Sequence, residues 1–375
     1  MLNWGKILLS IFLRAIYCLP VGCLALNDQL LKERMEEPPP CWMMEQIQMD
    51  LAPFKERGVT SDQLSAFWKD VGNPRDLLLV RFKVINGTIS IVSSIPDKDI
   101  LRLQAVKGAL ERLNSIKTLP NLDFVVTLHD AYSAHCTDDN CPVLTFAKDK
   151  NATASILLPD FEALNGYDQL TSKILTANAQ YPWEVKLKSA FWRGSSTGGN
   201  FNLKNWQDFA RAKLVLLSIR NPRDLDARFT SLVQMDNETR YFLSARGFLG
   251  MPAAPSEHIR YKYLAEVDGN SCSYSRCYWE LLSNSVMLKQ VSDNIQWYYG
   301  ALKPDVHFIP VAHDLSDFFV KLNWARTHDA ECRIIAENAT EFAKTELSAE
   351  STYLYLHHLL QEYAKICHVS TTNSI

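Results

Sequence analysis

Apolar residues follow two different periods along this chain, and their alternation lays out the architecture. After a proline-rich stretch, EEPPPCW at 36–42, MMEQIQMDLAPFKERG has apolar positions at helical spacing. TSDQLSAFWKDV reads as a second helix, with Thr60 or Ser61 as its cap. LLLVRFKVINGTISIVSS then switches to strand spacing, as two strands joined by Asn86-Gly87, a strong hairpin signal. The helical period returns in DKDILRLQAVKGALERLNSIKTL, and NLDFVVTLHDAY is a short buried strand ending at Asp130. VLTFAK and SILLPDF follow as further short strands.

The second half repeats this grammar. KLKSAFWRGSSTGG is a strand running into a glycine-rich loop. NLKNWQDFARAKLVLLSIR is largely helical, with a strand placed near its end. YKYLAEV, a small-residue loop, a short helix and SVMLKQ form a strand–helix–strand unit; VHFIPV is another strand, and from Asp314 onward the pattern is helical. Strands alternating with helices predict α/β layers with parallel sheet. Two such domains are expected, meeting near residues 175–185.

Composition changes this picture little. The chain has 375 residues, 47% of them hydrophobic and 22% charged, long for one domain and suited to two. A net charge of −3 gives no basic surface for nucleic acid. Residues 1–27 carry Lys6 and then an apolar run interrupted by Arg14 and Pro20, a poor spanning helix. They read as a signal peptide cleaved near Ala25 or as an anchor, with membrane association through this segment, or as an amphipathic leading helix. Nine cysteines leave the compartment open: Cys136/Cys141 and Cys272/Cys277 share one spacing, with disulfides or free thiols as the alternatives. Neither pair has the histidine support a zinc site needs. Sequons at Asn86, Asn151, Asn237 and Asn338 fit a eukaryotic secretory protein but also arise by chance.

The chemistry sits at strand ends, where open parallel sheets bind ligands. Small residues from Asp268 and Gly269 to Ser273 let backbone N–H groups approach a ligand. A helix beginning about Ser273 would aim its positive dipole end into that loop. Arg276 in its first turn adds a fork that matches phosphate oxygens. Arg193, Gly194 and Ser195 would supply a second clamp, and the simplest ligand for both is a diphosphate. Plainer readings stand beside these. Ser and Asn before a helix are ordinary caps, and a first-turn arginine is more often solvated or ion-paired. Lys289 has an alternative as an edge-strand lysine. Asp130 after its strand is either a turn residue or a base held on a rigid strand end. No G-x-G-x-x-G or P-loop fingerprint is present.

Taken together, AFWRGSSTG at 190–198 and KYLAEVDGNSCSYSRCYWELLSNSVMLKQ at 262–290 resemble glycosyltransferase family 90. WYYGALKPDVHFIPV at 297–311 and ILLPDFEAL at 156–164 add to it. That family contains protein O-glucosyltransferases, capsule-associated xylosyltransferases and lipopolysaccharide-modifying enzymes. The order and spacing of these segments match over roughly 120–345. The resemblance implies a GT-B architecture, two Rossmann-like domains facing across a cleft. It places an acceptor-side domain at 28–180, a UDP-sugar domain at 181–345 and a helix crossing back at 346–375.

By the same resemblance Arg193, Ser195 and Arg276 contact the nucleotide diphosphate, the 268–275 loop lies beside the nucleotide, and Asp130 is the catalytic base. Gly194, Asp268, Gly269, Ser273 and Lys289 complete the expected donor site. The donor would be UDP-glucose or UDP-xylose, with no metal, and the acceptor a protein or glycan, including lipopolysaccharide. The sugar would move with inversion. A non-catalytic nucleotide- or glycan-binding protein on the same fold is the alternative. The compartment would be the ER or Golgi lumen for a eukaryotic protein, or the cytoplasm or cytoplasmic membrane face for a bacterial one. Two features depart from the family pattern: Ser196-Thr197-Gly198-Gly199 after the W-R-G-S motif, and the cysteines flanking the phosphate loop.

Overall fold

A computed structural model describes residues 27–70, 77–93, 100–130 and 141–370. Residues 1–26 of the leader, Cys136 and Asp138-Asp139, an adjacent pair without D-x-D spacing that reads as a solvated loop, therefore lie outside the described residues. Ten strands build two large five-stranded sheets. The first holds β1 (Leu79–Ile85), β2 (Thr88–Ser93), β3 (Leu122–Thr127), β4 (Val143–Thr145) and β5 (Ser155–Leu157), in the spatial order β2-β1-β3-β4-β5. The second holds β6 (Leu187–Ser195), β7 (Leu225–Ser231), β8 (Tyr261–Glu266), β9 (Val286–Gln290) and β10 (Ile309–Val311), in the order β7-β6-β8-β9-β10.

Both sheets thus follow one spatial order, second-first-third-fourth-fifth, that of a doubly wound fold. They differ in direction. Every pairing in the second sheet is parallel. In the first, β1 runs antiparallel to both neighbours. The hairpin explains this: Asn86 and Gly87 adopt φ of 49° and 76°, the left-handed pair that a two-residue turn needs, so no crossover helix intervenes.

The second sheet differs from expectation in one strand. Helix α2 (Ala210–Arg220) runs unbroken through the segment where a strand was placed, and the strand is β7, LDARFTS. Only alternate residues of β7 are buried, as suits an edge strand, and its Asp226 and Arg228 mask the apolar pattern.

Strand alternation gives the second sheet two cores. Phe191, Leu264 and Met287 point to one face, and Trp192, Tyr263, Ala265 and Leu288 to the other. The first face shares its core with the first sheet through helix α3 (Ser275–Leu282), whose Tyr278 ring stacks on Tyr167 at 4.0 Å. The two halves therefore meet through packed aromatics. The C-terminal helix α4 (Ala349–Ala364) also packs on the first sheet. Its Tyr355 and Tyr363 hydroxyls each donate at 3.2 Å, to the carbonyls of Leu157 and Asp123. Just beyond it, Cys367–His368 pairs in parallel with Val59–Thr60. No described helix is long and apolar enough to cross a membrane.

Candidate active site

In the second sheet the strand order reverses between β6 and β8, so the chain leaves these two strands in opposite directions and opens a crevice at their carboxyl ends. Glycines shape it. A Cβ on Gly194 would lie 2.5 Å from the Trp192 ring, and one on Gly269 would lie 2.5 Å from Thr197 Oγ1 and 2.7 Å from Arg211 Nη2. Gly198, at φ 119°, donates its N–H to Asn270 Oδ1 at 3.1 Å, closing the loop after β6 onto the loop after β8.

Two arginines stitch this crevice reciprocally. Arg211, in the first turn of α2 after β6, donates to the Asp268 carbonyl beyond β8 at 3.1 Å. It also donates to the Ser195 carbonyl and to Thr197 Oγ1, at 3.0 and 2.6 Å. Arg276, in the first turn of α3 after β8, reaches back to the Arg193 carbonyl on β6. Both guanidiniums lie over Trp192, with centroid distances of 5.7 and 5.8 Å.

Each arginine has five N–H donors, so neither is exhausted by these bonds. Burial and then the charge of Arg276 push Arg211 down to about 10, against Glu266, Asp268 and Asp130, which hold it up. It stays a cation at neutral pH. Two like charges beside two helix N-termini give the crevice a positive field that favours an anion.

Beneath it lie two buried carboxyls. Burial raises Glu266 above its ordinary value, although Lys289, Arg276 and Ser273 act the other way. Burial and the neighbouring Glu266 raise Glu280 further. His258, packed between Phe191 and Trp279, is pushed down to about 2 by burial, then by Arg276 and Arg193, and stays neutral.

Asp130 arrives from the other half. It lies three residues beyond β3, whose six residues are all buried, so its backbone is well anchored. Its carboxylate is 2.8 Å from Arg102 Nη2, on helix α1 (Ile100–Ile116), and its carbonyl accepts from the Tyr274 hydroxyl at 3.0 Å. Tyr274 belongs to the loop after β8. The Asp130 side chain is 32% exposed although its Oδ1, facing Arg102, is buried.

A sequence profile of glycosyl transferase family 90 matches residues 36–374. The chain belongs to glycosyl transferase family 90. Among its relatives, Protein O-glucosyltransferase 2 of Danio rerio is 28% identical over 256 residues, covering 66% of this chain and 48% of the relative. Protein O-glucosyltransferase 1 of Rattus norvegicus is 28% identical over 279 residues, covering 69% and 66%. The match thus spans about half of the first relative's length. Among solved structures, that of Anabaena Alr3699/HepE in complex with UDP-glucose is 12% identical, covers 59% of this chain and 64% of that one, and has a TM-score of 0.37. The family match extends well to the N-terminal side of the region carrying the quoted motifs, and the two α/β halves are GT-B-like.

Within this family 90 chain the expected site residues divide. Gly194, Gly269 and Arg276 lie in the crevice, as does the backbone of Ser195. The Arg193 guanidinium does not face it. It donates to Asp226 Oδ2 at 2.8 Å and to the Asp226 and Met251 carbonyls, because strand alternation turns it to the Phe191 side of β6. The Asp268 carboxylate is turned toward Ser292 and Asn294. Ser273 caps nothing; its hydroxyl donates to Glu266, and α3 begins two residues later, at Ser275.

Lys289 is no edge lysine. β9 is an inner strand, and the ammonium sits buried 4.5 Å from the Tyr299 centroid. Burial pushes it down, but Cys277, Asp268, Glu266 and Cys272 outweigh that and raise it. Cys272 and Cys277 are buried free thiols, and burial raises both. Trp297 is core, 1% exposed. Sequence reasoning missed Arg211, Arg102 and Tyr274. The one available signal for Arg211 was its place in the first turn of the helix after W-R-G-S. Among the described residues no group of three or more His, Cys, Asp or Glu could hold a metal ion.

Proposed function

We propose that the protein is a UDP-sugar-dependent glycosyltransferase that moves glucose or xylose to a hydroxyl of a protein or glycan acceptor with inversion. The observation that carries this reading is the Tyr274 hydroxyl on the Asp130 carbonyl at 3.0 Å. It sets a carboxylate from one half against the loop of the other half that is built for an anion. The family and its vertebrate O-glucosyltransferase relatives support the reaction class.

In this mechanism Arg211, Arg276 and the N-terminus of α3 hold the donor diphosphate. They stabilise the negative charge that grows on it as the bond to the sugar breaks. Asp130 takes the proton from the acceptor hydroxyl as its oxygen attacks the anomeric carbon from the opposite face. UDP leaves with the bonding electron pair. A departing diphosphate needs charge stabilisation rather than a proton, so one carboxylate suffices. Arg193 and Lys289 brace the site from behind. The reading makes 28–180 with the C-terminal helix the acceptor side and 181–345 the donor side. The vertebrate relatives favour the secretory lumen of the two locations considered, with residues 1–27 as the leader.

The test is UDP release by the purified protein across a panel of UDP-sugars. Donor-selective release that Asp130→Asn abolishes, with UDP binding kept, supports the reading and names the sugar. UDP binding with no release or transfer from any donor, even with extracts of candidate acceptors, would favour a binding protein instead.

A further inference from the structure

We propose that Tyr274 and Arg102 are positioning residues that make the placement of the base depend on the donor-side loop. The inference rests on Asp130 being that base. Four side chains form a closed circuit. Arg102 Nη2 lies 2.8 Å from Asp130 Oδ1, while its Nη1 donates to the Leu128 carbonyl at 2.6 Å. One guanidinium thus fixes both the carboxylate and the backbone leading to it. The same group lies over the Phe161 ring, 4.7 Å from its centroid. Phe161 meets the Tyr274 ring at 6.0 Å, and both pack edge-on against Phe146. The Tyr274 hydroxyl then returns to the Asp130 carbonyl.

Of these four, only Tyr274 comes from the donor half, and its backbone links the anion loop to α3. It stands at φ 48°, ψ −121°, a conformation an L residue rarely adopts and one that surrounding packing must hold. Its ring, wedged between Phe146 and Phe161 of the opposite half, supplies that packing. A loop drawn onto a diphosphate therefore carries the Tyr274 hydroxyl with it, and through it the Asp130 backbone. The arrangement gives a physical reason for placing a bulky residue where a helix start would ordinarily carry Ser, Asp or Gly.

The test is UDP release from UDP-glucose or UDP-xylose, whichever the protein uses, with UDP affinity measured separately. Tyr274→Phe keeps the ring and removes one hydrogen bond; turnover falls about threefold to tenfold and UDP affinity stays within twofold. Arg102→Gln lowers turnover further, Arg102→Lys restores part of it, and neither changes UDP affinity. The Tyr274→Phe/Arg102→Lys double variant loses less than the product of the single losses, because both act through Asp130. Unchanged turnover in Tyr274→Phe, or a loss of UDP affinity that matches the loss of turnover, would overturn the proposal. Asp130→Asn run in parallel separates the two claims. If it turns over normally the base assignment itself fails; if it is inactive while Tyr274→Phe is unaffected, only the positioning claim fails.

Discussion

The two sheets share a strand order and do opposite work. The second is parallel throughout, and the two strands flanking its reversal, β6 and β8, each lead into a helix whose first turn, carrying Arg211 or Arg276, lies at that edge. The first begins with a hairpin, which removes one crossover and the helix N-terminus that would come with it. What it brings to the cleft is a carboxylate, Asp130, beside the cation Arg102. The comparison teaches that a doubly wound strand order does not make a phosphate site by itself. The proposed phosphate site instead draws on helices entering on both sides of the reversal, which the hairpin denies the first sheet.

That contrast can be broken experimentally. The largest effect is expected for Asp130→Asn: turnover should fall by about 10²–10⁴-fold, the usual worth of general-base help, with UDP affinity unchanged. Next come the donor-side cations. Arg276→Ala or Arg211→Ala should weaken UDP binding by about 10–100-fold, the scale of a lost charged hydrogen bond in a half-buried site, read by calorimetric titration. Arg193→Ala should weaken UDP binding much less than either, since its guanidinium is committed to Asp226. Equal losses at all three positions would erase the distinction between crevice and brace. Gly269→Ala places a Cβ against Thr197 and Arg211. It should lower stability by about 1–3 kcal/mol in thermal unfolding and weaken UDP binding as Arg211 is displaced.

The smallest effect concerns pH. Lys186 is buried at the base of the second sheet, donating to the Ile259 and Ser283 carbonyls and to Ser285 Oγ. Burial, with the Lys262 charge, lowers it from 10.5 to about 7. Below about pH 7 the lysine is charged in both folded and unfolded chains, so its contribution is constant. Between 7 and 10.5 the unfolded chain holds more protons, so stability from this group rises with pH. From pH 7 to about 8, before most of the thiols titrate, the melting temperature should rise more in the native protein than in Lys186→Met. An identical slope in both would discount the assignment.

How much of this was legible in the sequence follows from the same contrast. The β6 and β8 edges could be read because small polar residues break abruptly into apolar strands. Asp130 could be read because six buried residues lead to it. Strand alternation decides which side chain at such an edge faces the crevice, and W-R-G-S alone does not reveal the face; hence Arg193 was expected where Arg211 stands. Arg211 itself sits in QDFARAKLVLL, where it looks like one more polar position of an amphipathic helix. β7 escaped because an edge strand buries only alternate residues. Tyr274 and Arg102 owe their roles to contacts over 144 and 26 residues of sequence, which no local pattern encodes.

The most direct test of the account measures UDP affinity and sugar transfer side by side in Asp130→Asn and Arg276→Ala. The account predicts a crossed result: the first variant binds UDP as the native protein does and fails to turn over, whereas the second binds UDP weakly and recovers only part of its turnover as donor concentration rises. If Asp130→Asn loses UDP binding, or Arg276→Ala keeps it, the division of labour between the two halves is wrong.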